Sequence, residues 1–283
     1  MAEYFTARGL PVPPELTQNP LTNWKRNAVL AIALLTFAVG LRITNIDLSY
    51  ANPEYAGRQV AQLFNWDTSI LTPQNEFETF WDTAEGKMVE TIFLGVIATV
   101  FAIVIAVPLS FLGARNIMAG NPIAMGAYTV VRLIFTVVRS IDVLIVVIVM
   151  SILFGIGSAA GVIGLAFHNV GVLGKLYSEA IEGIDAGPIE AITATGANRF
   201  QVIWTAVLPQ IVNPYISFTI YRLDANVRLA PILGYVGGGG IGIMLFQSIQ
   251  LLQYRAAGLI IFMIIVTVAA MDFLSAQVRR RLA

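Results

Sequence analysis

Long apolar runs occupy most of this 283-residue sequence and constrain its fold more than any other feature. An apolar helix of about 20 residues spans the hydrocarbon core of a bilayer. The chain is 57% hydrophobic and only 12% charged, whereas soluble domains contain about 25% charged residues. We therefore predict an all-α membrane protein with six transmembrane helices, at about residues 28–43, 88–112, 123–157, 161–184, 203–229 and 256–278.

The sequence excludes several kinds of chemistry. It contains no cysteine, which excludes disulfides, thiolate metal sites and cysteine nucleophiles. Its single histidine, His168, excludes a metal site built from several histidines. No G-x4-G-K-[ST] motif for nucleotide phosphates occurs, and the formal net charge is zero. We therefore expect no catalytic residue, no metal, no cofactor bound by this chain and no nucleic-acid partner.

Basic residues at the ends of the apolar runs predict the topology. Lys25 and Arg26 precede the first run, Arg115 follows the second, and residues 279–281 follow the last. The positive-inside rule then places both termini in the cytoplasm. Residues 1–24 are polar and rich in proline, which predicts a weakly ordered cytoplasmic tail. The alternative is that the first apolar run belongs to a cleaved signal peptide, and the long polar segment before that run argues against it.

The third apolar run, residues 123–157, is too long for one straight crossing, and Arg139 to Asp142 (RSID) interrupt it. We interpret it as one span that bends at the interruption. A hairpin of two short helices is the alternative, and it would invert the topology of everything downstream.

The segment EAITATGANRFQVIWTAVLP, residues 190–209, is polar for a chain of this composition. Pro188 suits the first turn of a helix. The residues at helical spacing after Glu190 are small, and Gly196 permits a turn. Pro209 is expected to kink or restart the next span. We predict a short cytoplasmic helix that offers a docking face, with an ordinary loop helix as the alternative. The small residues of that face are Ala191, Ala194, Thr195 and Asn198.

A glycine-rich stretch, GYVGGGGIGIML (residues 234–245), is expected at the outer end of the fifth span. Its spacing formally matches a dinucleotide fingerprint, but that motif requires a strand before it, and none is predicted here. Consecutive glycines permit a tight, closely packed turn. We predict an outer gate or a contact for a partner, with a flexible loop as the alternative. The gate candidates are Tyr235, Gly237, Gly238, Gly239, Gly240 and Met244.

Ionisable residues within the spans are costly, at about 2.5–3.5 kcal/mol each, and are therefore functional suspects. Arg132 and Lys175 are interpreted as structural or interfacial, and His168 as hydrogen-bonded packing. Asp224 and Arg228 are four residues apart and are expected to pair on one helix face. The candidates for lining a path for an anionic substrate are Arg139, Asp142, Arg222, Asp224, Asn226 and Arg228. The alternative for these is a purely structural role.

Several of these motifs resemble a known family. Glu190, Ala191, Gly196, Leu208 and Pro209 resemble the "EAA" loop of bacterial ABC importer permeases, with Ile192 in place of the usual second alanine. VRSIDVLI, SFTIYRLDANVR, LGYVGGGGIG, SAQVRRRL and the run FGIGSAAGVIGLAFHNVGVLGKLYSEAIEGI resemble the phosphonate-importer branch in particular. The resemblance covers about residues 88–283. Asp142 stands where such permeases usually have proline, which adds a charge that we expect to be buried and paired.

The resemblance implies a type I (MetI-like) permease fold with a cytoplasmic coupling helix. Residues 88–283 would form the permease core, residues 25–87 the first span and an extracytoplasmic segment, and residues 1–24 the tail. The protein would be a homodimer in the bacterial inner membrane, surrounded by lipid. Each protomer would contact one of two cytoplasmic ATPase subunits, which bind ATP and Mg. The coupling residues would be Glu190, Ala191, Thr195, Gly196, Ala197, Asn198, Leu208 and Pro209.

The implied substrate is a phosphonate or a related phosphorus oxyanion, such as phosphate or phosphite, delivered by an extracytoplasmic binding protein. A permease for methionine or another small solute is the alternative within the family. An ATP-independent channel or an intramembrane enzyme is the alternative from another class. Ser140, Ser151 and His168 are available for enzyme chemistry, but no supporting motif accompanies them.

Overall fold

The first span is a helix that exposes its apolar surface. The computed structural model describes residues 7–9, 24–44, 52–73, 75 and 78–282, in two compact units, 1–57 and 58–283. In the first unit, α1 (Trp24–Ile43) exposes most of its large apolar side chains, which suits a helix surrounded by lipid. The predicted tail lies outside the described residues, apart from residues 7–9 and Trp24. The predicted boundary between residues 87 and 88 stays a prediction.

The rest of the described chain is mainly helical. Two short 3-10 helices (Thr68–Leu71 and Phe80–Asp82) and one π-helical turn (Ile203–Val207) accompany the α-helices. The α-helices are α2 (Pro53–Phe64), α3 (Ala84–Leu112), α4 (Arg115–Met118), α5 (Pro122–Ser140), α6 (Val143–Phe154), α7 (Ser158–Glu182), α8 (Ala186–Ala194), α9 (Arg199–Val202), α10 (Leu208–Tyr235), α11 (Ile241–Gln250) and α12 (Tyr254–Leu282).

Helices of membrane length occur where the six spans are predicted. In the described part of the chain, five helices are long and apolar enough to cross a bilayer: α1, α3, α5, α7 and α12. α10 has 28 residues, or about 42 Å of helix. It falls outside those five on composition, because it contains Arg222, Asp224 and Arg228. The helix that corresponds to the predicted fifth span thus carries three charged residues in its second half.

α5 and α6 together form one bent span. Along α7, Gly164 packs against Val147 of α6, while Gly171 and Gly174 pack against Val138 and Phe135 of α5. The contacts therefore follow one continuous antiparallel order from α6 to α5. This confirms the single bent span and excludes the hairpin, in which α5 and α6 would double back on each other.

Asp142 lies at the break between α5 and α6. It was expected to be a buried charge with a partner, and this is wrong: the residue is exposed on the surface of the chain. Its carboxylate instead caps α6 by accepting the N–H of Leu144 at 2.8 Å. A cap satisfies a backbone donor that the start of a helix otherwise leaves free.

Small side chains and hydroxyl pairs hold the centre of the bundle together. Ala102 and Ala106 of α3 are fully buried against Tyr177 of α7. The ring of Tyr177 stacks on that of Tyr215 of α10, with 4.0 Å between centroids. The Tyr215 hydroxyl lies 2.7 Å from that of Ser110. Because small residues let the backbones approach, α3, α7 and α10 pack as a central unit.

Candidate functional site

α8 is anchored on one face and exposed on the other. Asp185 caps the helix by accepting the N–H of Gly187 at 3.0 Å. Ile189 packs into an apolar cluster with Ile181 and Val207. The other face exposes Glu190, Ala191 and Ala194, and Thr195 is exposed at the C-cap. Asn198 was predicted on the same face, and this is wrong: the turn at Gly196 ends the helix first, and Asn198 instead caps α9. Small exposed side chains on a firmly seated helix allow another protein surface to approach closely.

The segment after α8 turns twice before the next long helix. Gly196 has φ +81°, a conformation that glycine adopts without strain. Asn198 and Gln201 then form a reciprocal capping box at the start of α9. Pro209 has no N–H and begins α10 directly after the π-helical turn. The predicted turn at Gly196 and the predicted restart at Pro209 are both present.

Gln210 joins α8 to α10, and the sequence did not indicate it. Its side-chain Oε1 accepts the N–H of Asp185 at 3.0 Å, and its Nε2 donates to the Asp185 carbonyl at 3.4 Å. The same amide donates to the carbonyl of Ala206 at 2.8 Å. Nothing in the spacing pairs residues 185 and 210, because the contact depends on how the intervening turns fold. The start of the exposed helix is therefore bonded to the first turn of α10.

Arg132 and Lys175 are structural, as predicted. Arg132 pairs with Glu179 and Glu182 of α7, and its Nε donates to the carbonyl of Gly113 at 2.8 Å. Lys175 lies 3.7 Å from the Glu179 carboxylate. The Arg132 pairs hold the C-terminal end of α7, which precedes α8, against α5.

The glycine turn between α10 and α11 is buried, so the flexible-loop alternative is wrong. Gly237, Gly239 and Gly240 have positive φ, and residues 237–240 are buried. A Cβ at Gly239 would meet the backbone of Ser158 at 2.5 Å. Thr91 Oγ1 accepts the N–H of Ile241 at 2.8 Å, where α11 begins. The turn therefore fixes α10 and α11 against α3 and α7.

Some of the predicted gate residues line a cavity of about 450 Å³ beside this turn. Lys87 and Glu90, which pair at 2.9 Å, contribute charge to its wall together with Gly239, Gly240 and Met244. The remaining candidates lie elsewhere: Gly237 packs near Ser151, Gly238 packs against Gly161, and the exposed Tyr235 contacts the ring of Phe246.

The predicted pair of Asp224 and Arg228 is present, with 3.1 Å between carboxylate and guanidinium. Arg228 also pairs with Asp272 of α12, a residue that the sequence did not indicate because it lies on another helix. Two carboxylates thus contact this guanidinium, which is half-exposed at the surface of the chain.

Arg222 has different surroundings on the same helix. Its Nε donates to Oδ1 of Asn169 on α7. It forms no ion pair with any carboxylate in the described part of the chain. One turn further along α10, Asn226 donates to Thr99 of α3 at 2.8 Å. The structure therefore brings Arg222 and Asn226 into the contacts among α3, α7 and α10, whereas Arg139 and Asp142 are exposed at the α5–α6 break.

The comparisons agree with this geometry. The family of binding-protein-dependent transport system inner membrane components matches residues 117–283, and the chain belongs to this family. It is therefore a multi-pass integral membrane permease subunit rather than an enzyme, and its family implies an ATPase partner and a substrate-binding protein.

Named relatives and a solved structure are similar to parts of the chain. The phosphate-import permease protein PhnE of Mycolicibacterium smegmatis is 39% identical over 68% of this chain, which spans only 35% of that protein. The phosphite transport system permease protein PtxC of Stutzerimonas stutzeri is 35% identical over 68% of this chain and 69% of its own length. The inward-facing MetNI methionine ABC transporter has a TM-score of 0.61 at 22% identity, covering 71% and 96% of the two chains. That likeness confirms the MetI-like fold.

Replacing Gly239 by alanine is expected to destabilise the protein more than the same change at Gly155. The two glycines have similar φ, +83° and +86°. A Cβ at Gly155 meets open space, whereas one at Gly239 overlaps the Ser158 backbone. We expect Gly155→Ala to cost about 1 kcal/mol of backbone strain and Gly239→Ala a further 1–3 kcal/mol of overpacking. Thermal unfolding of the detergent-solubilised protein measures both. Equal midpoints for the two variants would show that the turn is not tightly packed.

Proposed function

We propose that this chain is the membrane-spanning permease subunit of an ATP-driven importer for phosphonate or a related phosphorus oxyanion, such as phosphite or phosphate. The observation that carries the transport mechanism is the exposed face of α8 together with its bonds, through Gln210, to α10. The names of the relatives at 35–39% identity support the substrate class.

In this proposal, α8 and the turns after it are the coupling element. Two cytoplasmic ATPase subunits bind ATP and Mg and press on the small face of α8 at Glu190 and Ala191. The Gln210 amide transmits that displacement to α10, because it holds the start of α8 and the first turn of α10 together. α10 carries Arg222 and Asn226, so the movement reaches the polar contacts at mid-bundle.

The partners and orientation follow from the same proposal. Both termini lie on the cytoplasmic side of the bacterial inner membrane, and a second copy of the chain completes the path between two lipid-embedded protomers. The end with the glycine turn then faces outward, where the cavity at Lys87, Gly240 and Met244 receives substrate from an extracytoplasmic binding protein. Specificity lies mainly in that binding protein, since a permease that bound substrate tightly would release it slowly.

The substrate class is tested by ATP hydrolysis in the reconstituted complex of permease, ATPase and binding protein. We expect stimulation by at least one of methylphosphonate, phosphite or phosphate, and none by methionine, because the relatives named for phosphorus oxyanions cover most of this chain's core. The complex without binding protein is the control. Stimulation by methionine alone would contradict the substrate proposal.

The coupling role of α8 is tested by Gly196→Trp, with Gly155→Trp, at the C-terminal end of α6, as its matched control. Both glycines are exposed, have positive φ and have open space around them, so both variants carry similar backbone strain. We expect Gly196→Trp to lower ATP-driven uptake at least about tenfold, because a bulky side chain beside the docking face costs on the order of 1–3 kcal/mol at an interface.

The control variant should retain uptake, and Glu190→Arg should behave like Gly196→Trp. Membrane insertion of all three variants is checked by their yield in isolated membranes. Normal uptake by both Gly196→Trp and Glu190→Arg would show that α8 does not receive the ATPase.

A further inference from the structure

The intramembrane arginines of this chain differ in how their charge is balanced. Arg132 is paired with two glutamates, and Arg228 with two aspartates. Arg222 lies near the middle of α10 and contacts the amide of Asn169, a neutral group. A buried charge without a counter-charge is costly, so a chain that retains one needs a reason outside its own packing.

Some of the hydrogen-bond donors of Arg222 and its partner Asn169 have no acceptor. In the described structure, Nη2 of Arg222 and Nδ2 of Asn169 are both buried and have no hydrogen-bond partner. Asn169 itself is completely buried. Buried donors without an acceptor are rare, because the N–H group loses its hydrogen bonds to water and gains none in the protein. Two of them on side chains that are bonded to each other indicate a site for an acceptor.

The surroundings favour an anion over a neutral acceptor. The guanidinium supplies a full positive charge and a planar set of N–H donors, which matches tetrahedral oxyanions. The hydrogen bond from Nε to Asn169 Oδ1 fixes the orientation of the guanidinium and leaves its other donors available. His168, the neighbour of Asn169, lies close to Arg222 and to the α5–α6 break at Ile141 and Asp142. The pair is therefore next to the discontinuity in the bent span.

We propose that Arg222 and Asn169 form a transient binding site for the phosphorus oxyanion halfway along its path, with Arg222 Nη2 and Asn169 Nδ2 donating to its oxygens. This inference rests on the proposed function, because it assumes that a phosphorus oxyanion is the substrate. The proposal places Asn169 on the substrate path. It also gives Arg222 a different role from Arg228, whose guanidinium is paired with two aspartates of the chain itself.

The decisive variant is Asn169→Asp, which changes one atom of the site. The carboxylate keeps an oxygen for the Nε of Arg222 but replaces the free N–H₂ group with a second, negative oxygen. A structural role of the pair predicts that this ion pair is tolerated, since it neutralises the buried guanidinium. If the pair is instead an anion site, Asn169→Asp should impair transport. In that variant the substrate meets an arginine whose charge is already neutralised and a carboxylate that repels it.

The measurement is phosphite imported per ATP hydrolysed, in liposomes that contain the complete complex and its binding protein. We expect Asn169→Asp and Arg222→Gln to lower this ratio at least about tenfold, since a hydrogen bond to a charged group is worth that factor or more. Stimulated ATP hydrolysis should stay within about twofold of wild type, because the α8 contacts are unchanged. Arg222→Lys keeps the charge and should retain part of the import.

Thr219→Val is the matched control. The Thr219 hydroxyl lies 2.6 Å from that of Tyr177, so this variant removes a polar contact between the same two helices, α7 and α10, without touching the site. It should import phosphite at the wild-type ratio.

The outcomes separate this site from the function on which it rests. Absence of import of any phosphorus oxyanion by the wild-type complex contradicts the proposed function and the site together. Import at the wild-type ratio by Asn169→Asp or Arg222→Gln overturns the site alone. Loss of stability and of ATP hydrolysis in Arg222→Gln, with Asn169→Asp tolerated, assigns the pair to the fold and also overturns the site.

Discussion

The two hydrogen bonds between Gln210 and the backbone of Asp185 are the contacts on which the mechanism depends. They join an exposed nine-residue helix to the 28-residue helix that carries Arg222, Asp224 and Arg228. Ile189 adds an apolar contact on the buried side of α8. We propose that these contacts transmit a force applied to α8 to α10. The chain between them contains the turn at Gly196 and the π-helical turn before Pro209, and Gln210 also bonds to the carbonyl of Ala206 within the π-helical turn.

Polar groups in the bundle fall into two physical classes. Arg132, Lys175 and Arg228 have carboxylate partners: Arg132 joins α5 to α7, Arg228 joins α10 to α12, and Lys175 pairs with Glu179 within α7. Arg222 is bonded to an amide and to no carboxylate in the described part of the chain, and we propose that its charge serves a ligand. The sequence alone does not indicate that Arg222 and Arg228 have different partners, because both are arginines on α10. The difference arises from α7 and α12, which place Asn169 beside one guanidinium and Asp272 beside the other.

Features that depend on local patterns were predictable from the sequence. Apolar runs gave the positions of the long helices, Gly196 and Pro209 gave the turns around α8, and the four-residue spacing gave the Asp224–Arg228 pair. Features that depend on tertiary packing were not predictable from the sequence. Gln210, Asn169 and Asp272 each contact a residue distant in sequence, and no motif marks them. Asp142 was expected to be buried because its run is apolar, yet the break in the helix exposes it and turns it into a cap.

The central claim is that α8 and the start of α10 move together during the transport cycle. Because the chain contains no cysteine, a double variant Asp185→Cys and Gln210→Cys can be linked specifically by a short bis-maleimide in the reconstituted complex. Because Gln210→Cys removes the amide that joins the two elements, the unlinked double variant is expected to import phosphite more slowly than wild type, and the covalent link is expected to restore import towards the wild-type rate. Import that linking leaves unchanged, or stops, would contradict the claim.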